Sequence, residues 1–389
     1  MRAFLKQHFM IIILSIFVLL SVLCAMTSYK ISAVYYMEKN TVMKLPWSLG
    51  LTKEYDSIYY GDIPGQFEAM KGKKTFLIDA EGKVIDQNDD GSILSKGLYE
   101  YREGGKYGIK NDRGQIVVKA KYNWIESMYD GYVVVQDDNE HDTIIDAKGR
   151  VVFDEKLTQS ISHIDGTYYL IQMSEPFVFH AATEEKIQLP ASITEIYSDG
   201  QGGYIASLFG GGQCFLTKDF KFAKNKQLYK YVGPLSEGLR FAECYDGEFS
   251  DKVSDDFDEE RSKTTAGYID DDGNMVLKLP YSQVDHGGEF SDGKAFVRTD
   301  DSLICLDKKG IERFTLKTNY SEDAWFVNTP KFSCGYAPAT LDGKTYGFID
   351  ETGVFVVPPY FSSANEIVAG YSLVKFRDSY GILNLKEGL

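Results

Sequence analysis

Beyond about Thr41, apolar residues alternate with polar ones in short runs, and each run is cut by a polar turn. Six segments share one outline: an apolar run ending in Asp or Asn, two variable residues, a Gly, then a second apolar run. They are FLIDAEGKVI (Phe76–Ile85), GIKNDRGQIVV (Gly108–Val118), TIIDAKGRVVF (Thr143–Phe153), GYIDDDGNMVL (Gly267–Leu277), LICLDKKGIERF (Leu303–Phe314) and GFIDETGVFVV (Gly347–Val357). A period of two marks strands. The Asp or Asn side chain accepts backbone N–H groups two residues on and starts a turn. The Gly then takes the left-handed conformation that closes the hairpin without strain. Gly82, Gly114, Gly149, Gly273, Gly310 and Gly353 are thus expected to be turn glycines rather than phosphate cradles.

A second element alternates with the first: a short polar turn ending in Gly, then one more strand. It is seen in YDGYVVVQ (Tyr129–Gln136), IDGTYYLIQ (Ile164–Gln172), LSEGLRFAE (Leu235–Glu243), FSDGKAFVR (Phe290–Arg298) and VAGYSLVKF (Val368–Phe376). With weaker copies at Gly65, Gly97, Gly200 and Gly335 included, most successive glycines of this kind lie 32 to 38 residues apart. A unit that small cannot bury its apolar faces alone, so neighbours must stack. The expected fold is all-β, built of tandem short β-meander repeats of about 35 residues, with a propeller-like ring favoured over an open β superhelix. One observation favours the ring. The chain ends in a strand of the first kind, Tyr380–Leu385, and its repeat region opens with a strand of the second kind, Thr41–Leu45, so the two complete one split unit. Against it, the sequence holds about nine strands of the first kind, where rings of this type usually have four to eight blades.

These residues resemble the WG-repeat family of bacterial proteins. Its unit runs aromatic-Gly-Phe-Ile-Asp, Gly, a Val-Ile pair, Pro and Tyr, followed by a strand opened by Gly. Tyr346-Gly347-Phe348-Ile349-Asp350, Gly353, Val356-Val357, Pro358 and Tyr360 follow it almost position by position. Tyr107-Gly108-Ile109, Gly114, Ile116-Val117-Val118 and Tyr122 follow it well, and Tyr380-Gly381-Ile382 opens a final partial copy. The namesake Trp is Tyr here. The resemblance implies a repeat-built interaction module, of a kind often exported from the cell.

Composition places the module. Arg2 and Lys6 precede an uncharged apolar run from Phe9 to Met26. Eighteen residues at about 1.5 Å each span about 27 Å, close to a bilayer's hydrocarbon core. Positive charge before the run sets the N-terminus inside and the body outside. The expected organisation is a cytoplasmic N-terminus at 1–8, a transmembrane anchor at 9–26, a linker at 27–40 and the repeat domain at 41–389 with an acidic insertion at 243–263. The expected location is therefore the cell membrane, single-pass, with the membrane itself as one partner. The alternative is a signal peptide cleaved near Leu23-Cys24-Ala25 and a secreted body. An exported body permits disulfides among Cys214, Cys244, Cys305 and Cys334, although buried free thiols are the commoner outcome. The net charge of −15 argues against nucleic acid, whose phosphates call for Lys and Arg.

Catalytic signatures are missing. The five histidines show no metal-ligand spacing, and no nucleophile elbow, His-Glu-x-x-His or Cys-x-x-Cys occurs. Asp86, Asn88 and Asp90 supply oxygens at the first, third and fifth places of a calcium loop, with Gly91 at the sixth. The twelfth place is Gly97 instead of Glu, so no cofactor is expected and calcium is the single candidate. The insertion carries nine carboxylates between Glu243 and Lys263 and reads as a solvated loop. Aromatic pairs such as Tyr59-Tyr60, Tyr122 with Trp124, Tyr168-Tyr169 and Trp325-Phe326 offer ring faces for sugars or, one member each, for the core. The expected function is a non-catalytic binding module for a protein or cell-envelope polymer. The alternatives are a glycan-processing enzyme with paired carboxylates and a purely structural spacer.

Overall fold

The computed structural model describes residues 39–156, 160–189, 193–199, 202–209, 211–223, 227–248, 263–281, 284, 286–320 and 329–389. The expected anchor at 9–26, residues 249–262 of the acidic insertion and the Trp325-Phe326 pair lie outside them. Two compact units are separated at Trp47/Ser48. The described part of the smaller is a helical turn at 39–42, with Trp47 Nε1 donating to the Val42 carbonyl at 2.9 Å.

Among the described residues the larger unit is strand, turn and strand, apart from one 3-10 turn at Leu385–Glu387. Its strands fall into nine consecutive antiparallel blades. Blade 1 joins Ser57–Tyr60, Gln66–Lys71, Lys74–Asp79 and Val84–Asn88 in that order. Blades 2, 3 and 4 repeat the meander at 93–122, 124–153 and 160–188. Blades 5 and 6, at 193–216 and 227–278, are bridged into one sheet by the single pairing of Gln213 with Tyr229. Blade 7 covers 286–317 and the three-stranded blade 8 covers 336–361. Blade 9 takes Ser363–Ala364, Tyr371–Phe376 and Ser379–Asn384, and its outermost strand is Trp47–Thr52 from the other end of the chain.

The two ends therefore close one sheet, as the ring reading required. The strand that closes it differs from the expected one: Thr41–Leu45 holds the helical turn, and Trp47–Thr52 does the pairing. As an edge strand it needs one paired side only, and its WSLGLT sequence is mostly half-buried. A second contact seals the same junction. Ile58, Phe67 and Ile78 of blade 1 pack with Leu373 and Ile382 of blade 9. The Tyr60 hydroxyl donates to the Glu366 carbonyl at 2.6 Å and accepts the Leu373 N–H at 3.1 Å.

Neighbouring blades share their cores by alternation. Val133 and Val135 face blade 2 with Ile109 and Val118, while Val134 between them faces Tyr169 and Ile171 of blade 4. Ala295 and Val297 face Tyr268 of blade 6, and Phe296 faces Phe332 and Ile349 beside it in blade 8. One strand in the middle of a blade is thus buried on both sides, which explains its continuous apolar run.

Turn chemistry follows the sequence pattern closely. Asp350 Oδ1 accepts the N–H groups of Thr352 and Val354 at 2.9 and 3.1 Å, and Gly353 then adopts φ +84°. Asp146, Asp307 and Asn111 each hold the same two N–H groups in their own hairpins. The second element opens with a tight turn whose last two residues both have positive φ, as in Asp292–Gly293 at 51° and 70°. Asp130–Gly131, Glu237–Gly238, Cys334–Gly335 and Ala369–Gly370 repeat it. This is the two-residue hairpin turn that matches strand twist. All four body cysteines are free thiols, so no pairing forms. Cys214 and Cys305 are buried, and burial pushes both thiols up to about 12. Cys334 departs from the expected burial because its turn sets it on the surface.

Two outcomes are expected. Gly114 and Gly353 both carry positive φ, but a Cβ at Gly114 meets open space while one at Gly353 lies 2.5 Å from the Phe314 ring of blade 7. Gly114→Ala should cost about 1–2 kcal/mol from backbone strain, and Gly353→Ala clearly more, as read from urea unfolding midpoints. In a Cys24→Ser background, a thiol reagent should label Cys334 within the native state and reach Cys214 and Cys305 only on unfolding.

Candidate functional site

Counting back from each turn glycine gives a common register for the inner ends of the blades. Five residues before it stand Tyr60, Gly233, Gly288, Pro330 and Asn365, in the approaches to blades 1, 6, 7, 8 and 9. The backbone shows the equivalence directly. The N–H groups of Gly233, Gly288 and Asn365 donate to Phe241, Phe296 and Leu373, each three residues past its turn glycine, at 2.9, 2.7 and 3.0 Å. Gly233, Gly288 and Pro330 leave room at this place, and a cavity of about 560 Å³ opens among these five blades. Its size falls in the range of small-molecule sites.

One position further along, four before the glycine, come Glu289, Lys331 and Glu366 in successive blades. Equal register brings them side by side on the cavity wall. Lys331 Nζ lies 2.7 Å from Glu289 Oε1 and 3.4 Å from Glu366 Oε2. Burial works to lower the lysine, but the Glu289 hydrogen bond and charge, with Glu366 behind them, raise it above its ordinary value. The three side chains therefore form a minus-plus-minus row.

Aromatic residues supply the rest of the wall. Tyr60, Tyr231, Tyr320 and Tyr346 all line the cavity. Burial pushes the Tyr60 and Tyr320 hydroxyls up to about 12, so both stay neutral at physiological pH. His286 meets the Tyr231 and Phe241 rings edge-on, with centroids 5.2 and 5.7 Å away. Burial lowers its pKa, Arg298 lowers it further, and Glu289 opposes both.

The sequence candidates lie elsewhere. Asp86 and Asn88 sit on Val84–Asn88, the outer strand of blade 1, and face blade 2. Asp86 accepts the Tyr99 hydroxyl at 2.7 Å, and the Asn88 amide donates to the Ser92 and Glu100 carbonyls at 3.1 and 2.7 Å. Asp90 follows in the turn, and its charge helps raise the Glu100 carboxyl, whose main cause is burial. The three join a polar seam between two blades. Among the described residues no three His, Cys, Asp or Glu are gathered where they could hold a metal ion. Of the aromatic pairs within the described residues, Tyr122 and Tyr169 are core residues, and Tyr60 lines the cavity. Sequence reading missed Glu289, Lys331 and Glu366, because 42 and 35 residues separate them (331 − 289 and 366 − 331). Only the turn register unites them.

The His286 shift has a sign that can be tested. Its folded pKa lies below the unfolded value of about 6.5, so folding favours the neutral ring. That stabilisation is present above about pH 6.5 and is lost as pH falls through the lower, folded value. Melting temperatures measured from pH 7.5 to 5 should fall more steeply for the wild type than for His286→Gln.

Among solved structures the chain is similar to BamB from Moraxella catarrhalis, at 10% identity and TM-score 0.37, covering 86% of this chain and 100% of that one. It is also similar to a eukaryotic initiation factor, at 9% identity and TM-score 0.46, covering 83% and 94%. The WD40 domain of Neurospora crassa Pan2 follows at 8% identity and TM-score 0.35, covering 85% and 89%. At these scores the ring rests on the chain's own sheets and closure. No curated protein sequence matches the chain. The profile of the WG containing repeat matches residues 107–140, 267–301 and 346–380, three separate places around the ring. The chain is a repeat protein that carries WG repeats.

Proposed function

We propose that this protein is a non-catalytic binding module, held at the membrane by residues 9–26 with its ring outside, whose cavity receives a protein segment or an envelope polymer. The observation that carries the reading is the tyrosine-walled cavity with its internally paired Glu289–Lys331–Glu366 row. A recognition site needs fixed polar groups in an apolar frame, and this wall has both. The row also weighs against the enzyme alternative. Glycoside hydrolysis calls for one carboxyl that holds its proton beside one that does not. Here both carboxylates are paired with the same ammonium, at 2.7 and 3.4 Å, and that arrangement gives them no separate roles. A spacer would have no use for charges set around a hollow. No cofactor is needed for such a role, and the net charge of −15 remains unsuited to nucleic acid.

Crosslinking pull-down from whole cells tests the reading. The wild-type chain should recover a partner that Lys331→Glu, at unchanged melting temperature, recovers poorly or not at all. Equal recovery by both would remove the cavity from the account.

A further inference from the structure

We propose that the ligand of this tyrosine-walled cavity is a neutral saccharide chain. This rests on the binding reading above and narrows it to one ligand chemistry.

Charge makes the first selection. Glu289, Lys331 and Glu366 together carry one net negative charge, and the chain as a whole carries −15. A phosphate or uronate would enter against that field. A cationic ligand would meet an ammonium already seated between the two carboxylates. It would have to displace a lysine whose pKa those carboxylates raise. A neutral ligand faces neither obstacle.

Hydrogen bonding makes the second. An ammonium has three donors, and a carboxylate has about four acceptor positions. The pairing of Lys331 with its two neighbours leaves open capacity of both kinds, and the Glu366 side chain stays 53% exposed. Donors and acceptors thus alternate along one wall. Sugar hydroxyls, which donate and accept at once, match such a row, and bonds to charged partners are the stronger ones.

The rings make the third. Tyr60, Tyr231, Tyr320 and Tyr346 come from different parts of the ring and converge on the cavity. Tyr320 donates to the Thr340 carbonyl at 3.2 Å, and Tyr60 is bonded to blade 9, so their hydroxyls are largely occupied. What these two offer a ligand is mainly ring surface, apolar and electron-rich, and Tyr231 and Tyr346 add two more rings to the wall. The C–H faces of a pyranose ring fit it while the hydroxyls at its rim reach the charged row.

The test uses the full chain in a detergent without sugar headgroups. Isothermal calorimetry is run with neutral oligosaccharides of glucose, galactose, mannose and N-acetylglucosamine, with an oligo-lysine peptide, and with an oligouronate. At least one neutral oligosaccharide should bind saturably. Its affinity should change by less than about twofold between about 0.05 and 0.5 M salt, since no net charge is screened. Tyr346→Leu and Glu366→Gln should each weaken it by about tenfold or more, whereas Tyr346→Phe should keep most of it. Melting curves confirm that each variant is folded. Binding of the oligo-lysine or oligouronate alone, or of nothing in the set, overturns the saccharide proposal. Should the pull-down still recover a partner through Lys331 in that case, the binding reading stands and only its ligand class falls.

Discussion

Each blade of the ring can hide its apolar faces only against the blade before it and the blade after it. A sheet of three or four short strands has too little core of its own to be stable alone. Stability is therefore a property of the circuit, and every other feature serves it. Alternating side chains, such as Val133, Val134 and Val135, feed two different interfaces from one strand. Left-handed turn residues keep the strands short and in register. At the junction of blades 9 and 1 the apolar contact is supplemented by strand pairing and by the Tyr60 hydroxyl, because blade 9 is completed by Trp47–Thr52 from the other end of the chain.

Repetition of this kind also organises chemistry. In blades 6, 7 and 9 a residue at a given distance from its turn glycine takes the same place in the backbone hydrogen-bond pattern. Most such positions are spent on packing: Phe241, Phe296 and Leu373 share one of them. Where packing does not need the position, substitution in successive repeats writes a pattern around the wall. Glu289, Lys331 and Glu366 are such a pattern. The polar seam between blades 1 and 2 is another, where Asp86, Asn88, Tyr99 and Glu100 replace apolar contact with hydrogen bonds.

Much of the fold was legible in the sequence because its signals are local. The Asp-x-x-Gly hairpins depend on a side chain and a backbone only a few residues apart, and Asp350 with Gly353 behaves as that chemistry requires. The closing strand was harder to place. Trp47–Thr52 lies at an edge and carries a weak apolar pattern, whereas Thr41–Leu45 looks more strand-like and forms a helical turn. The surroundings of the calcium candidate were equally hidden. Asp86 and Asn88 lie on a strand and bond to Tyr99, Ser92 and Glu100 across the seam to blade 2. The cavity was not legible at all by local reading. Its charged members are distant in sequence, and the small residues that make room for it, Gly233 and Gly288, look like ordinary glycines until the ring is assembled.

Closure by Trp47–Thr52 has a topological consequence. The first and last strands of the circuit, Trp47–Thr52 and Ser379–Asn384, are hydrogen-bonded neighbours within one sheet. The order in which the blades are read along the chain is therefore incidental to how they stand in space. A chain rejoined across that sheet and cut instead at an exposed hairpin, such as the one around Gly104-Gly105, would trace the same circle from a different origin. The cavity would then be assembled by a different part of the message with its geometry intact.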